Sequence, residues 1–184
     1  MRTDRLQQEY GIELRWTVFP LHPETPEQGI ELTELFAGKE EQIKIMQAQL
    51  VQRAALEGLP LTERNRTYNS LQAQELGKWA EEQGQGDIFR RTVYHAYFVE
   101  GINISLVDEL VQIAESVGLS GDEARNVLKE KRYIEAVNAD WQRARALGVT
   151  AVPTHIFEGK RLIGFDNYDE FIRLIGKAPS PNFY

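Results

Sequence analysis

The stretch Arg143-Ala-Arg-Ala-Leu-Gly-Val-Thr-Ala-Val-Pro-Thr-His-Ile-Phe157 decides how this chain is read. Ala139 to Leu147 holds helix formers with basic residues in the last turn, and Gly148 suits the left-handed position that closes a helix. Past Val149-Thr-Ala151, Pro153 forces Val152 out of the helical region and brings no N–H of its own. The peptide edge at Val152-Pro153 is therefore open to something other than a sheet neighbour. Thr154-His-Ile-Phe157 reads as a short strand, Glu158-Gly-Lys160 as a hairpin turn and Arg161 to Phe165 as the return strand. Asn167, with Glu170 three residues on, has the form of a capping box for a final helix through Ile175. The order is helix, Val-Pro, strand, strand, helix.

Working outward, Thr3 to Tyr10 has helical composition and Gly11 can close it. Ile12 to Phe19 alternates as a half-buried strand would, with Ile12, Leu14, Trp16 and Val18 on one face, and Pro20 ends it. Pro23 to Gly29 is a loop. Lys39 to Glu57 carries Ile43, Met46, Leu50 and Leu56 at helical intervals and breaks at Gly58-Leu-Pro60. Ser70 to Gln83 turns Leu71, Leu76, Trp79 and Ala80 inward, and Gly84 and Gly86 stop it. Asp87 can cap the next helix, whose Ile88, Val93, Tyr94, Tyr97 and Phe98 make the richest apolar face, ending at Gly101. Ser105 is placed to cap Leu106–Val117, Ser120 with Glu123 forms a capping box, and a helix over Tyr133–Leu147 leads back to the opening stretch.

The chain is 184 residues long, 42% hydrophobic and 10% aromatic, which fits one good core or one domain carrying an insertion. A formal charge of −7 argues against a nucleic-acid or anionic membrane surface. No apolar run approaches the roughly 20 residues that span a bilayer, and the N-terminus lacks a signal-peptide core, so a cytoplasmic protein is expected. The chain holds no cysteine, so it has neither a disulfide nor a thiol redox centre of its own.

The order of elements, the Gly148-Val-x-x-Val-Pro-Thr154 phrase and the Gly164-Phe-Asp-Asn-Tyr-Asp-Glu-Phe-Ile-Arg-Leu-Ile175 tail resemble the C-terminal half of the DsbA family, in particular its FrnE-like cytosolic branch. The resemblance implies an α/β, thioredoxin-like (DsbA-like) fold with an inserted helical domain. The thioredoxin-like part would be residues 1–23 and 133–184, and the helical insertion residues 24–132. In that family the proline after valine is cis and faces the active-site disulfide, which makes Val152, Pro153 and Thr154 the substrate-facing segment here; on the residues alone, an ordinary trans proline at a strand start remains open. Ile12–Phe19 would be the family's second strand, and α-helical Thr3–Tyr10 the remainder of the helix that begins with C-x-x-C. The first strand and the redox motif are absent from these residues. Because that strand is central in the family's sheet, its absence predicts that the gap is filled by a partner chain or by direct closure of Ile12–Phe19 onto Thr154–Phe157, and that the protein is a homodimer or larger. Alternatively, Met1 is an internal start and the gene product carries the strand and its C-x-x-C upstream.

Without sulfur, thiolate attack from a helix N-terminus is impossible. The related kappa-class glutathione transferases and 2-hydroxychromene-2-carboxylate isomerases use a serine or similar residue at the same helix start; Thr3 is the only hydroxyl there, and it lies too close to Met1 for a preceding strand to hold it. His22, His95 and His155 show no metal-ligand spacing: His95 is read as a core or boundary residue, His155 as facing a covering helix, and His22 as exposed. Glu40-Glu41, Glu81-Glu82 and Asp108-Glu109 are solvated helix faces rather than acid–base pairs. Gly84-Gln-Gly86 joins two helices and is no phosphate loop. No cofactor and no metal is expected. What remains is binding: an extended peptide or small molecule at the Val152-Pro153 edge, with Trp16 and Phe19 beside it, or a cleft lined by Trp16, Phe19, Tyr94 and Phe98, which are otherwise plain core.

Overall fold

A computed structural model describes residues 2–164 and 167–176. In chain order the elements are α1 (Arg2–Tyr10), β1 (Ile30–Glu31), α2 (Leu32–Leu35), α3 (Glu40–Leu56), β2 (Arg66–Thr67), α4 (Leu71–Glu82) and α5 (Gly86–His95), which runs on into a π-helical turn (Ala96–Glu100). Then come α6 (Val107–Ser116), α7 (Gly121–Glu130), α8 (Ile134–Ala146), β3 (Thr154–Phe157), β4 (Lys160–Ile163) and α9 (Tyr168–Ile175). Contacts divide the chain into a unit of residues 1–19 and 140–184 and a unit of residues 20–139.

In the first unit, β3 and β4 form an antiparallel hairpin, with Thr154 opposite Ile163 and Phe157 opposite Lys160. Glu158 and Gly159 both have positive φ, 47° and 80°, the geometry of a two-residue type I′ turn that matches strand twist. Helix α9 has Tyr168, Phe171, Ile172 and Ile175 at intervals of three and four, and the Asn167 side chain accepts a hydrogen bond from the Glu170 amide at 3.1 Å. Helix α1 contributes Leu6 and Tyr10, four apart, and is closed where Gly11 N–H donates to Gln7 at 3.0 Å. These residues pack with Phe157 and Leu162 into one apolar cluster. Phe165, the last residue of the expected return strand, lies outside the described residues.

Ile12–Phe19 is not a strand. It joins no ladder among the described residues, and Val18 N–H donates instead to the Asp140 carboxylate at 3.0 Å. Alternation marks which side chains share a face, but a strand also needs a neighbouring backbone, and among the described residues β3 pairs only with β4. Direct closure of the segment onto β3 therefore does not form.

In the second unit, Leu76, Trp79 and Ala80 of α4, Phe89 and Val93 of α5, Leu110 and Ala114 of α6 and Val127 of α7 form one core. The inward stripe of α5 is Phe89, Val93 and then Ala96, so Ile88 and Tyr94 are about half exposed, against the sequence reading. Helix α3 buries no residue: Met46, Leu50 and Leu56 are exposed. Periodicity in α3 identifies a shared face and says nothing of whether another element covers it. Ser120 caps α7, accepting from Glu123 N–H at 3.3 Å. Ser105 does not cap α6; it is buried, and its hydroxyl donates to the Glu27 carbonyl at 2.5 Å. Asp87 lies inside the first turn of α5 and pairs with Arg90. Among the described residues no helix is long and apolar enough to cross a membrane.

Candidate functional site

The Val-Pro segment is held from both sides. Helix α8 ends at Gly148, whose φ is 63°, with Gly148 N–H donating to Arg145 at 2.8 Å and Val149 N–H to Ala144 at 2.9 Å. Arg161 of β4 donates to the Gly148 carbonyl at 3.3 Å, tying that corner to the hairpin. The Val152-Pro153 peptide bond is cis. On its far side the Pro153 carbonyl accepts from Gly164 N–H at 2.8 Å, and the Thr154 hydroxyl donates to the Ala151 carbonyl at 2.6 Å.

Between these anchors, the backbone N–H and C=O of Val152 have no partner among the described residues, and the residue is 44% exposed. Among the described residues β3 is likewise paired on one side only, by β4. Its two faces differ. His155 and Phe157, with Leu162 opposite His155, turn toward α9, and the His155 ring meets Phe171 edge-on at 4.7 Å. That burial pushes the His155 imidazole below the ordinary histidine range, and its Nδ1 atom is buried with no hydrogen-bond partner among the described residues. His155 is thus the covered histidine its place in the strand implied. On the other face Ile156 and Ile163 are exposed, continuing the apolar surface of Val152. The arrangement offers an extended ligand backbone groups at Val152 and apolar contacts beside them.

Trp16 and Phe19 lie on the irregular segment before residue 20, the first exposed and the second half-buried. Tyr94 and Phe98 belong to the other unit, where their rings meet edge-on at 6.1 Å. Thr3 is half-buried within the first turn of α1. His95 is exposed and faces Glu100 at 3.3 Å, so it is no core residue. His22 is not simply exposed: it is half-buried, its ring edge-on to Phe36 at 6.0 Å, with φ 52° and its carbonyl accepting from Thr25. No group of three or more possible metal ligands occurs among the described residues.

Sequence reasoning missed two polar sites of the helical unit. Glu75 is 3% exposed, accepts from Tyr133 N–H at 3.2 Å and is held above the usual carboxylate range by burial. Arg64 lies over the rings of Tyr97 and Phe98, at 4.7 and 5.2 Å from their centroids. The residues from 61 to 69 carry no periodic pattern that could have announced either the ring stack or its pocket.

A hairpin next to a cis Val-Pro corner, backed by α1 and α9 and separated in sequence by a helical unit, is a thioredoxin-type architecture carrying an insertion. A family model of the DsbA-like thioredoxin domain matches residues 1–176, and the chain belongs to that family. A probable DsbA oxidoreductase from Streptomyces coelicolor superposes with a TM-score of 0.77 at 23% identity, over 88% of this chain and 75% of that one. A 2-hydroxychromene-2-carboxylate isomerase superposes with a TM-score of 0.72 at 20% identity, over 95% of this chain and 84% of its own. Among curated proteins, the ClpXP adapter protein SpxH of Bacillus subtilis is 30% identical over 118 residues, 57% of this chain and 40% of SpxH. The chain spans about half or less of the length of the curated relatives it matches.

Proposed function

We propose that this DsbA-like protein is a binding protein, taking an extended peptide or small molecule along Val152, Pro153 and Thr154, with Trp16 and Phe19 contributing to the bound surface. The observation that carries the reading is the exposed residue Val152, whose backbone groups have no partner among the described residues, beside a strand that pairs on one side only among them. Main-chain pairing to such an edge gives affinity without any catalytic side chain. These 184 residues hold no thiol, so thiol–disulfide exchange is not a chemistry they supply. A relative named for an adapter role is consistent with binding as the retained activity.

The reading extends to a FrnE-like, cytoplasmic protein that dimerises through the open edge of β3, with a thioredoxin-like part of residues 1–23 and 133–184 and an inserted domain of residues 24–132. The alternative is a glutathione-dependent relative of the isomerase, and saturable glutathione binding in calorimetry would favour it.

The test is a titration of the isotope-labelled protein with extended peptides and with the same peptides N-methylated at alternate amides. Binding is expected to perturb the amides of Ala151, Val152 and residues 154–157 and to be lost on N-methylation with side chains unchanged. Equal binding of both peptide sets, or shifts elsewhere only, would refute pairing at this edge.

A further inference from the structure

A second site lies wholly within the helical unit. The π-helical turn Ala96–Glu100 widens the backbone spiral and leaves carbonyls outside the ordinary helical ladder. Thr62 takes them up: its amide donates to Phe98 O at 3.0 Å and its hydroxyl reaches Phe98 O at 3.0 Å and Val99 O at 3.2 Å. The loop after Pro60 is thereby fixed to the turn, and Arg64, whose amide donates to Gln47 Oε1 at 3.0 Å, is laid across Tyr97 and Phe98.

The guanidinium is oriented from below as well. One of its terminal nitrogens, Nη1, donates to Tyr97 Oη, which is bonded in turn to Thr67 Oγ1 at 3.0 Å, and Tyr68 packs edge-on against Tyr97 at 6.3 Å. Its neighbour Arg66 is occupied, bonded to Glu31 at 2.6 Å and to the Gln28 carbonyl at 2.8 Å. Arg64 has no carboxylate partner among the described residues, in a chain with 28 acidic residues. Its Nε and Nη2 edge makes no hydrogen bond among the described residues, and Arg64 lines a cavity of about 120 Å³ with Thr62, Asn65, Tyr68 and Gly101.

We propose that this cavity is a binding site for a small carboxylate, held by the Nε and Nη2 edge of Arg64. The planar fork matches a carboxylate with two parallel hydrogen bonds, and the ring shelf fixes the fork before the ligand arrives. A phosphate fits less well: it is tetrahedral, carries more charge, and enters a protein of net charge −7 with Glu63 on the cavity wall.

The test is an amide-correlation titration of the whole protein with sodium acetate and sodium benzoate, with inorganic phosphate and chloride at matched ionic strength. Saturable shifts confined to residues 62–68 and 96–101 are expected, with a dissociation constant on the order of millimolar for a ligand this small. Arg64→Gln is expected to weaken binding at least about tenfold. Asn65→Asp keeps the arginine and places an internal carboxylate at an exposed position beside it, so binding should fall severalfold there too, whether or not Arg64→Gln disturbs the loop. Non-saturating shifts, equal response to chloride or phosphate, or wild-type affinity in Asn65→Asp with an intact spectrum would overturn the proposal.

Discussion

Replacing His155 by phenylalanine tests the account of the hairpin's covered face. The imidazole packs edge-on against Phe171, which is buried with Leu6, Tyr10 and Ile175, and its Nδ1 has no partner. A buried polar atom left unsatisfied costs about 1–3 kcal/mol, while a ring of similar shape keeps the aromatic contact. After about 1 kcal/mol is allowed for fitting the larger ring, His155→Phe should be neutral to about 2 kcal/mol more stable at pH 8. The pH dependence has a definite sign. The folded pKa lies below the ordinary histidine value, so on acidification the unfolded chain takes the proton first. Wild-type stability is therefore full above the unfolded pKa of about 6.5 and falls as the pH drops from there through the folded pKa. Urea denaturation of both proteins at pH 8 and pH 5 reads this directly, because groups common to both cancel in the difference. The gap in favour of His155→Phe should widen at pH 5. A gap unchanged with pH, or a variant less stable by more than about 1 kcal/mol at pH 8, would show that the histidine is not buried unpaired.

Two further substitutions probe the helical unit. Glu75→Gln keeps an acceptor for Tyr133 N–H while removing a carboxyl whose pKa burial raises; the wild type should lose stability as pH rises from about 4.5 through the folded pKa, and the variant should not. Glu75→Leu leaves that amide unpaired and is expected to cost about 1–3 kcal/mol in the same denaturation assay. Gly29 has φ 76°, and an added Cβ would stand 2.5 Å from the Tyr68 ring and 2.6 Å from the Thr67 carbonyl, so Gly29→Ala should lower stability by about 2–4 kcal/mol in thermal or urea melts.

Four signals set by consecutive residues form as the sequence implies, whereas the caps expected at Ser105 and Asp87 do not. Gly148 closing α8, the Glu158-Gly159 turn, the Asn167 cap of α9 and the Ser120 cap of α7 each depend on a few consecutive residues, and all four form as their sequences imply. The candidate segment at Val152-Pro153 was legible for the same reason: a proline removes a donor wherever it sits, and the extended residue before it keeps groups to offer.

What failed to read was partnership. Ile12–Phe19 has a strand's alternation and no ladder, because pairing belongs to two backbones and the sequence of one does not contain the other. Helix α3 has an apolar stripe and buries none of it, while Phe89, 1% exposed, rather than Ile88 faces the core, a choice made by where α4 and α6 lie. The Arg64 shelf joins residues more than thirty positions apart through a π-helical turn that no composition announces. The sequence by itself determined the closing glycine of α8, the caps of α7 and α9, the hairpin turn, the absence of a thiol and the donor missing at Pro153, since these follow from dihedral preference and atom count. Only the tertiary structure decided which faces are covered and which polar groups are left alone, because burial and hydrogen bonding are properties of pairs brought together by folding.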